Sequence, residues 1–126
     1  MQRRAAAVCR RQVVVKHLAA KLAGCDSALI DDLDYVLDAL DRVTEAINMT
    51  YLGRVVHRFD PHGLSAVYLL AESHISVHTW PECGLVDLEI VSCSASSDLE
   101  KGLRMIAAAL GAESTACRKW TFKHDY

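Results

Sequence analysis

Two stretches with a helical period sit among segments that alternate with a period of two, and this mixture limits the folds open to the chain. From 26 to 49, "DSALIDDLDYVLDALDRVTEAINM", Leu29, Ile30, Leu33, Val36, Leu37, Leu40, Val43 and Ile47 form one apolar stripe, with most acids opposite. Asp26 or Ser27 is the expected cap. A second helix is expected over 97–111, opened by a capping box of Ser97 and Glu100 and stopped by Gly111. Strands are expected at 12–24, 51–59, 64–72, 74–80, 85–93 and 113–122, with a turn at "DPHG" (60–63) and Pro81 closing 74–80. Segment 64–72 is nearly all apolar and reads as a buried central strand. In 74–80, Ile75 and Val77 share one face, and His74, Ser76 and His78 the other. The expected order is β-α-β-β-β-α-β. It describes one α+β domain over 1–126: a two-layer sandwich, an antiparallel sheet with two helices on one face.

A chain of 126 residues, 52% hydrophobic and 24% charged, can bury a core of this kind. The net charge of −2 gives no basic balance directed at nucleic acid. No apolar run approaches the roughly 18–20 residues of a membrane span. Residues 1–11 carry four arginines and no acid and read as a flexible tail. The five cysteines, Cys9, Cys25, Cys83, Cys93 and Cys117, form no CxxC pair, which points to a reducing cytoplasm.

The densest chemistry is "AESHISVHTWPE", 71–82. A metal shared by His74 and His78 is disfavoured, because residues four apart on a strand lie roughly 13 Å from each other. Taken singly, Ser73 and Ser76 are ordinary strand-edge hydroxyls. Taken together, "KHLAAKLAGCD", "HRFDPHGLSAVYLLAESHISVHTWPE" and the "SC" at 92–93 resemble the prokaryotic S-adenosylmethionine decarboxylase proenzymes, small pyruvoyl enzymes of polyamine synthesis. The similarity runs from Val15 to Ala109.

The resemblance implies that Ser73 attacks the carbonyl of Glu72 and converts that peptide bond to an ester. Elimination and hydrolysis then leave fragments 1–72 and 73–126, the second starting with a covalent pyruvoyl group made from Ser73. By the same resemblance His78 is the processing base and Ser65 assists the cleavage. The pyruvoyl ketone forms a Schiff base with the substrate amine and accepts the electrons released as carbon dioxide leaves. Cys93 matches the proton donor, against its reading as a small buried apolar residue. Phe59 matches an aromatic that stacks on adenine, with a core residue as its other reading, and Glu82 an acceptor for the ribose hydroxyls, while Trp80 is expected to pack beneath the site. Ser73 and His78 are five apart, so they point to opposite faces unless the backbone bends, and strain at the reactive peptide would fit that. The resemblance implies a homodimer of processed protomers with sites at the interface, and with the His74–His78 pair disfavoured no metal is expected.

Three departures from the pattern stand out. Lys21 lies where the family has an acid, Asp87 where it has alanine, and "SAS" follows Cys93 in place of a glycine and an acid. A cationic sulfonium substrate does not favour a nearby lysine, whereas Asp87 would pair with the distal cation of L-arginine or L-ornithine. S-adenosylmethionine is the leading expected substrate, arginine or ornithine the alternative, and a non-catalytic binding homologue the third reading.

Overall fold

The structure, a computed structural model, describes residues 11–126. Its elements are β1 (Gln12–Ala23), α1 (Ser27–Ile30), α2 (Leu33–Ala46), β2 (Tyr51–Arg58), β3 (Leu64–Leu70), β4 (Ser73–Trp80), a single 3-10 turn (Pro81–Cys83), β5 (Leu85–Ser92), α3 (Leu99–Ala109) and β6 (Ser114–Asp125). Four strands separate the helical segments, one more than the expected order counts, because 64–72 and 74–80 fold as two strands about a tight turn. The six strands form one sheet in the order β2-β3-β4-β5-β1-β6, antiparallel throughout. Connections of only a few residues between β2, β3, β4 and β5 permit nothing but antiparallel neighbours. β1 then enters between β5 and β6. The residues before position 73 therefore supply β2, β3 and the inserted β1, and those after it supply β4, β5 and β6.

The expected helix over 26–49 is broken at Asp31–Asp32. Asp26 caps α1 by accepting from the N–H groups of Ala28 and Leu29, and Asp32 caps α2 by accepting from Tyr35 N–H. A second side chain able to satisfy free N–H groups restarts the helix, even though the apolar stripe runs through the break. At α3 the capping box is not formed. Asp98 caps instead, accepting from Lys101 N–H, and the buried Ser97 hydroxyl has no hydrogen-bond partner among the described residues. Gly111, at φ 68°, ends the helix as expected.

The helices cover one face of the sheet. Leu18, Leu22, Tyr68, Ile75, Val77 and Ile90 of the strands are buried against Ile30, Leu40, Ile47 and Ile106 of the helices. Each such side chain contributes about 1.5–3 kcal/mol. The opposite face has no helical cover. Segment 64–72 is an interior strand, as expected, but it is buried on one face alone: Leu64, Ala66, Tyr68 and Leu70 are buried, while Val67 and Leu69 are 41% and 59% exposed. The expected alternation of β4 holds, with Ile75 and Val77 buried and His74, Ser76 and His78 on the open face. β6 is exposed along its whole length and pairs only with β1. Apart from Arg11, the expected tail lies outside the described residues, as does Cys9. Arg11 is not loose: its N–H and C=O bond to Tyr126 at 3.1 and 2.9 Å.

Candidate functional site

Ala71 and Glu72 make the turn between β3 and β4, so that Leu70 faces Ser73 in register. Ser73 has φ 154°, a region held almost entirely by glycine, and a serine there stores about 1–3 kcal/mol of strain. The turn is clamped on both sides. The Glu72 carboxylate accepts from Thr50 N–H at 2.7 Å and from the Thr50 hydroxyl at 3.2 Å, and Ala71 N–H donates to Thr50 C=O at 2.9 Å. The Thr50 backbone N–H holds the Glu72 carboxyl below its ordinary pKa. The backbone C=O of Glu72, the carbonyl of the peptide bond to Ser73, accepts from Cys93 N–H at 2.9 Å.

Register brings Cys93 there. Ser73 pairs with Ser92, the last residue of β5, so the next residue lies beside the turn. Cys93 is exposed, which removes the alternative to its role as proton donor, that of a small buried apolar residue. The Ser73 hydroxyl lies 3.1 Å from Nδ1 of His74, whose Nε2 is 3.7 Å from a carboxylate oxygen of Glu89.

Ser65 and His78 form a second cluster. They face each other across β3 and β4, with Oγ and Nδ1 2.6 Å apart. The expected bend that would carry Ser73 toward His78 is absent. The backbone is distorted at Ser73, but β4 stays paired with β3 and β5 on the way to His78. Five positions of strand separate the two residues by roughly 16 Å, so one chain does not bring them together.

Phe59 and Glu82 lie at the far end of β4 from Ser73, about seven strand positions or roughly 23 Å away. Phe59 follows β2, is 49% exposed and packs edge-on against His57 at 4.6 Å. Glu82, in the 3-10 turn, is 3.0 Å from Nε2 of His62. Trp80 is 38% exposed rather than packed beneath a site. Asp87 stands in register between His78 and Lys21. All three line a cleft on the open face with Ser76, Glu89 and Arg118. Lys21 and Asp87 are thus on interior strands.

A family model described as S-adenosylmethionine decarboxylase matches residues 16–121. The chain belongs to this family. A family relative from Archaeoglobus fulgidus, named S-adenosylmethionine decarboxylase proenzyme, is 37% identical over 102 residues, 81% of this chain and 91% of the relative. One of the same name from Clostridium botulinum is 34% identical over 85 residues, 68% and 73% of the two chains. The crystal structure of the adenosylmethionine decarboxylase from Aquifex aeolicus superposes with a TM-score of 0.80 at 30% identity, covering 87% of this chain and 91% of that one. The α+β class expected from the periodicities is the fold of this family member.

Three residues around the Ala71–Glu72 turn carry contacts that the sequence reading assigned to none of them: His74, Glu89 and Thr50. In the sequence His74 stands out only as half of a disfavoured metal pair. Its adjacency to Ser73 was the available signal. Nothing in the sequence marks Thr50.

Proposed function

We propose that the protein is a self-processing, pyruvoyl-dependent carboxy-lyase that decarboxylates S-adenosylmethionine in the cytoplasm and supplies the product to polyamine, in particular spermidine, synthesis. One observation carries the processing step: the strained Glu72–Ser73 peptide, whose carbonyl is held by Cys93 N–H. Such a donor stabilises the oxyanion that forms when the Ser73 hydroxyl adds to that carbon, and strain at φ 154° is released as the bond opens. Serine fits the group because its β-oxygen is first nucleophile and then leaving group.

The pyruvoyl group at position 73 supplies an electron sink for decarboxylation. Around it the exposed Cys93 thiol, on the residue after Ser92, returns a proton to the substrate α-carbon. The names carried by the relatives favour S-adenosylmethionine over arginine or ornithine, and this reading assigns Asp87 to the cleft lined by His78 and Lys21 rather than to a substrate cation.

The working unit in this reading is a homodimer. Ser65 and His78 are out of reach of Ser73 in their own chain, as are Phe59 and Glu82. A two-fold axis relates one surface patch to its own copy. With the open faces opposed, the Ser65–His78 pair of one protomer serves Ser73 of the other, and the adenine and ribose contacts cross in the same way. The exposed Val55, Val67 and Leu69 of β2 and β3 supply apolar surface for that contact. Among the described residues no helix is long and apolar enough to cross a membrane, and the free Cys25, Cys83, Cys93 and Cys117 suit a reducing compartment.

Intact-mass measurement of the denatured, purified protein tests this reading. Two fragments split before Ser73, with carbon dioxide released from S-adenosylmethionine, are expected. A single uncut chain in active preparations overturns it.

A further inference from the structure

Self-cleavage at Ser73 needs two proton movements at different atoms. The hydroxyl proton must leave as Oγ attacks, and later the α-proton must leave as the ester is eliminated. His78 is out of reach of Ser73 within its own chain, and its Nδ1 is engaged by Ser65 at 2.6 Å. The imidazole that touches the Ser73 hydroxyl in this chain belongs to His74, with Nδ1 at 3.1 Å and Glu89 behind it at 3.7 Å from Nε2. The Glu89 carboxylate, 3.7 Å from Nε2, is too far for a hydrogen bond, but its charge favours the tautomer with the proton on Nε2 and leaves Nδ1 free to accept from the hydroxyl. His74 and Glu89 share the open face near the end of β4 and β5, and Ser73 opens β4 at the same turn.

We infer that His74, with the Glu89 carboxylate beside it, is the base of the first processing step, the acyl shift from nitrogen to oxygen, and that His78 serves the later elimination. The assignment rests on the self-processing reading given above. The hydroxyl proton of Ser73 passes to Nδ1 of His74 as Oγ bonds to the carbonyl carbon of Glu72, and the negative charge falls on the carbonyl oxygen bonded to Cys93 N–H. The carbon–nitrogen bond then breaks, and the proton on His74 passes to the departing nitrogen of Ser73. An ester and a free amine result. Nothing is oxidised or reduced, and no co-reactant is consumed.

Hydroxylamine separates the two steps, because it cleaves the ester directly and leaves residue 73 as serine instead of pyruvoyl, a difference read by mass. In a His78→Ala protein the shift proceeds and stalls at the ester, so hydroxylamine is expected to release fragments beginning with serine. Adding His74→Asn, which keeps a hydrogen-bonding group but no base, is expected to slow that release at least tenfold. Equal rates in the single and double variants overturn the assignment. So does a His78→Ala protein that hydroxylamine leaves intact, since the shift would then depend on His78. Thermal unfolding checks that the double variant is folded. If it is not, Glu89→Gln in the His78→Ala background takes its place, with a slowing of a few-fold expected and an unchanged rate counting against the proposal. Wild-type protein that never splits defeats the processing reading itself. Wild-type splitting with a shift indifferent to His74 and Glu89 defeats this assignment alone.

Discussion

Tyr68 offers a sharp test of the packing beneath the site. Its ring is fully buried, and its hydroxyl ties β3 to α2: it donates to a carboxylate oxygen of Asp41 at 2.7 Å, lies 3.1 Å from Leu37 C=O, and accepts from Arg54 at 3.2 Å. Tyr68→Phe keeps the ring and removes only these bonds. The side chains of Asp41 and Arg54 are 54% and 37% exposed, so water can replace the lost partner for both. The cost is therefore that of ordinary hydrogen bonds, about 1–2 kcal/mol, which for a chain of this size lowers Tm by roughly 3–10 °C. Burial pushes the phenol pKa above its ordinary value, and the bond to Asp41 adds to this. A raised value means that the contribution is whole below the unfolded phenol pKa of about 10 and is lost as pH rises through the folded one. The gap between parent and variant should therefore narrow above about pH 10. Circular-dichroism melts at neutral and alkaline pH, both in a Ser73→Ala background so that one covalent chain unfolds, measure this. A change below about 1 °C at neutral pH, or a gap that widens with alkali, refutes the reasoning.

Cys93→Ala should spare self-cleavage by intact mass and lower kcat by about 10²–10⁴. The Cys93 N–H that holds Glu72 C=O survives the substitution. Ile75→Ala, at a fully buried position of β4, should cost about 2–5 kcal/mol in denaturant titration of the uncut Ser73→Ala protein. Self-cleavage should slow in acid. The Glu72 carboxyl is held below its ordinary pKa by Thr50 N–H, so its clamp on the turn is present above the ordinary carboxylate value and is lost as pH falls through the lowered one. A Glu72→Gln protein, timed by gel between pH 3 and pH 7, should show less of that fall, these limits bracketing the carboxylate value of about 4.3.

The alternation in 74–80 and 85–93 was legible because one face of the sheet is covered and the other is not. The same fact leaves 64–72, an interior strand as expected, buried on one face alone. Val67 and Leu69 are apolar on the open side, and composition does not distinguish two-sided burial from a face turned toward a partner. The helix break was hidden because Leu29, Ile30 and Leu33 continue one stripe across it, and only the competition between Asp26 and Asp32 as caps creates it. In the site, placing a single residue between strands 64–72 and 74–80 concealed the pairing. Once Ala71 and Glu72 are the turn, counting back five from each side of it puts Ser65 opposite His78. The approach of Cys93 to Glu72 C=O depends on the β4–β5 register, which passes through a 3-10 turn that no local pattern specifies.

Cutting before Ser73 would leave two polypeptides woven together. Strand β1 of the first is held between β5 and β6 of the second, while β3 keeps its ladder to β4. Neither piece can leave without opening three ladders at once, so the mature protein should persist as one particle in native conditions. Its way home after denaturation is a different matter. The uncut precursor refolds within one molecule, whereas the halves must first find each other, having lost a tether that supplies millimolar effective concentration. Heating the mature form should consequently be a one-way event, its survival set by how fast it opens rather than by an equilibrium.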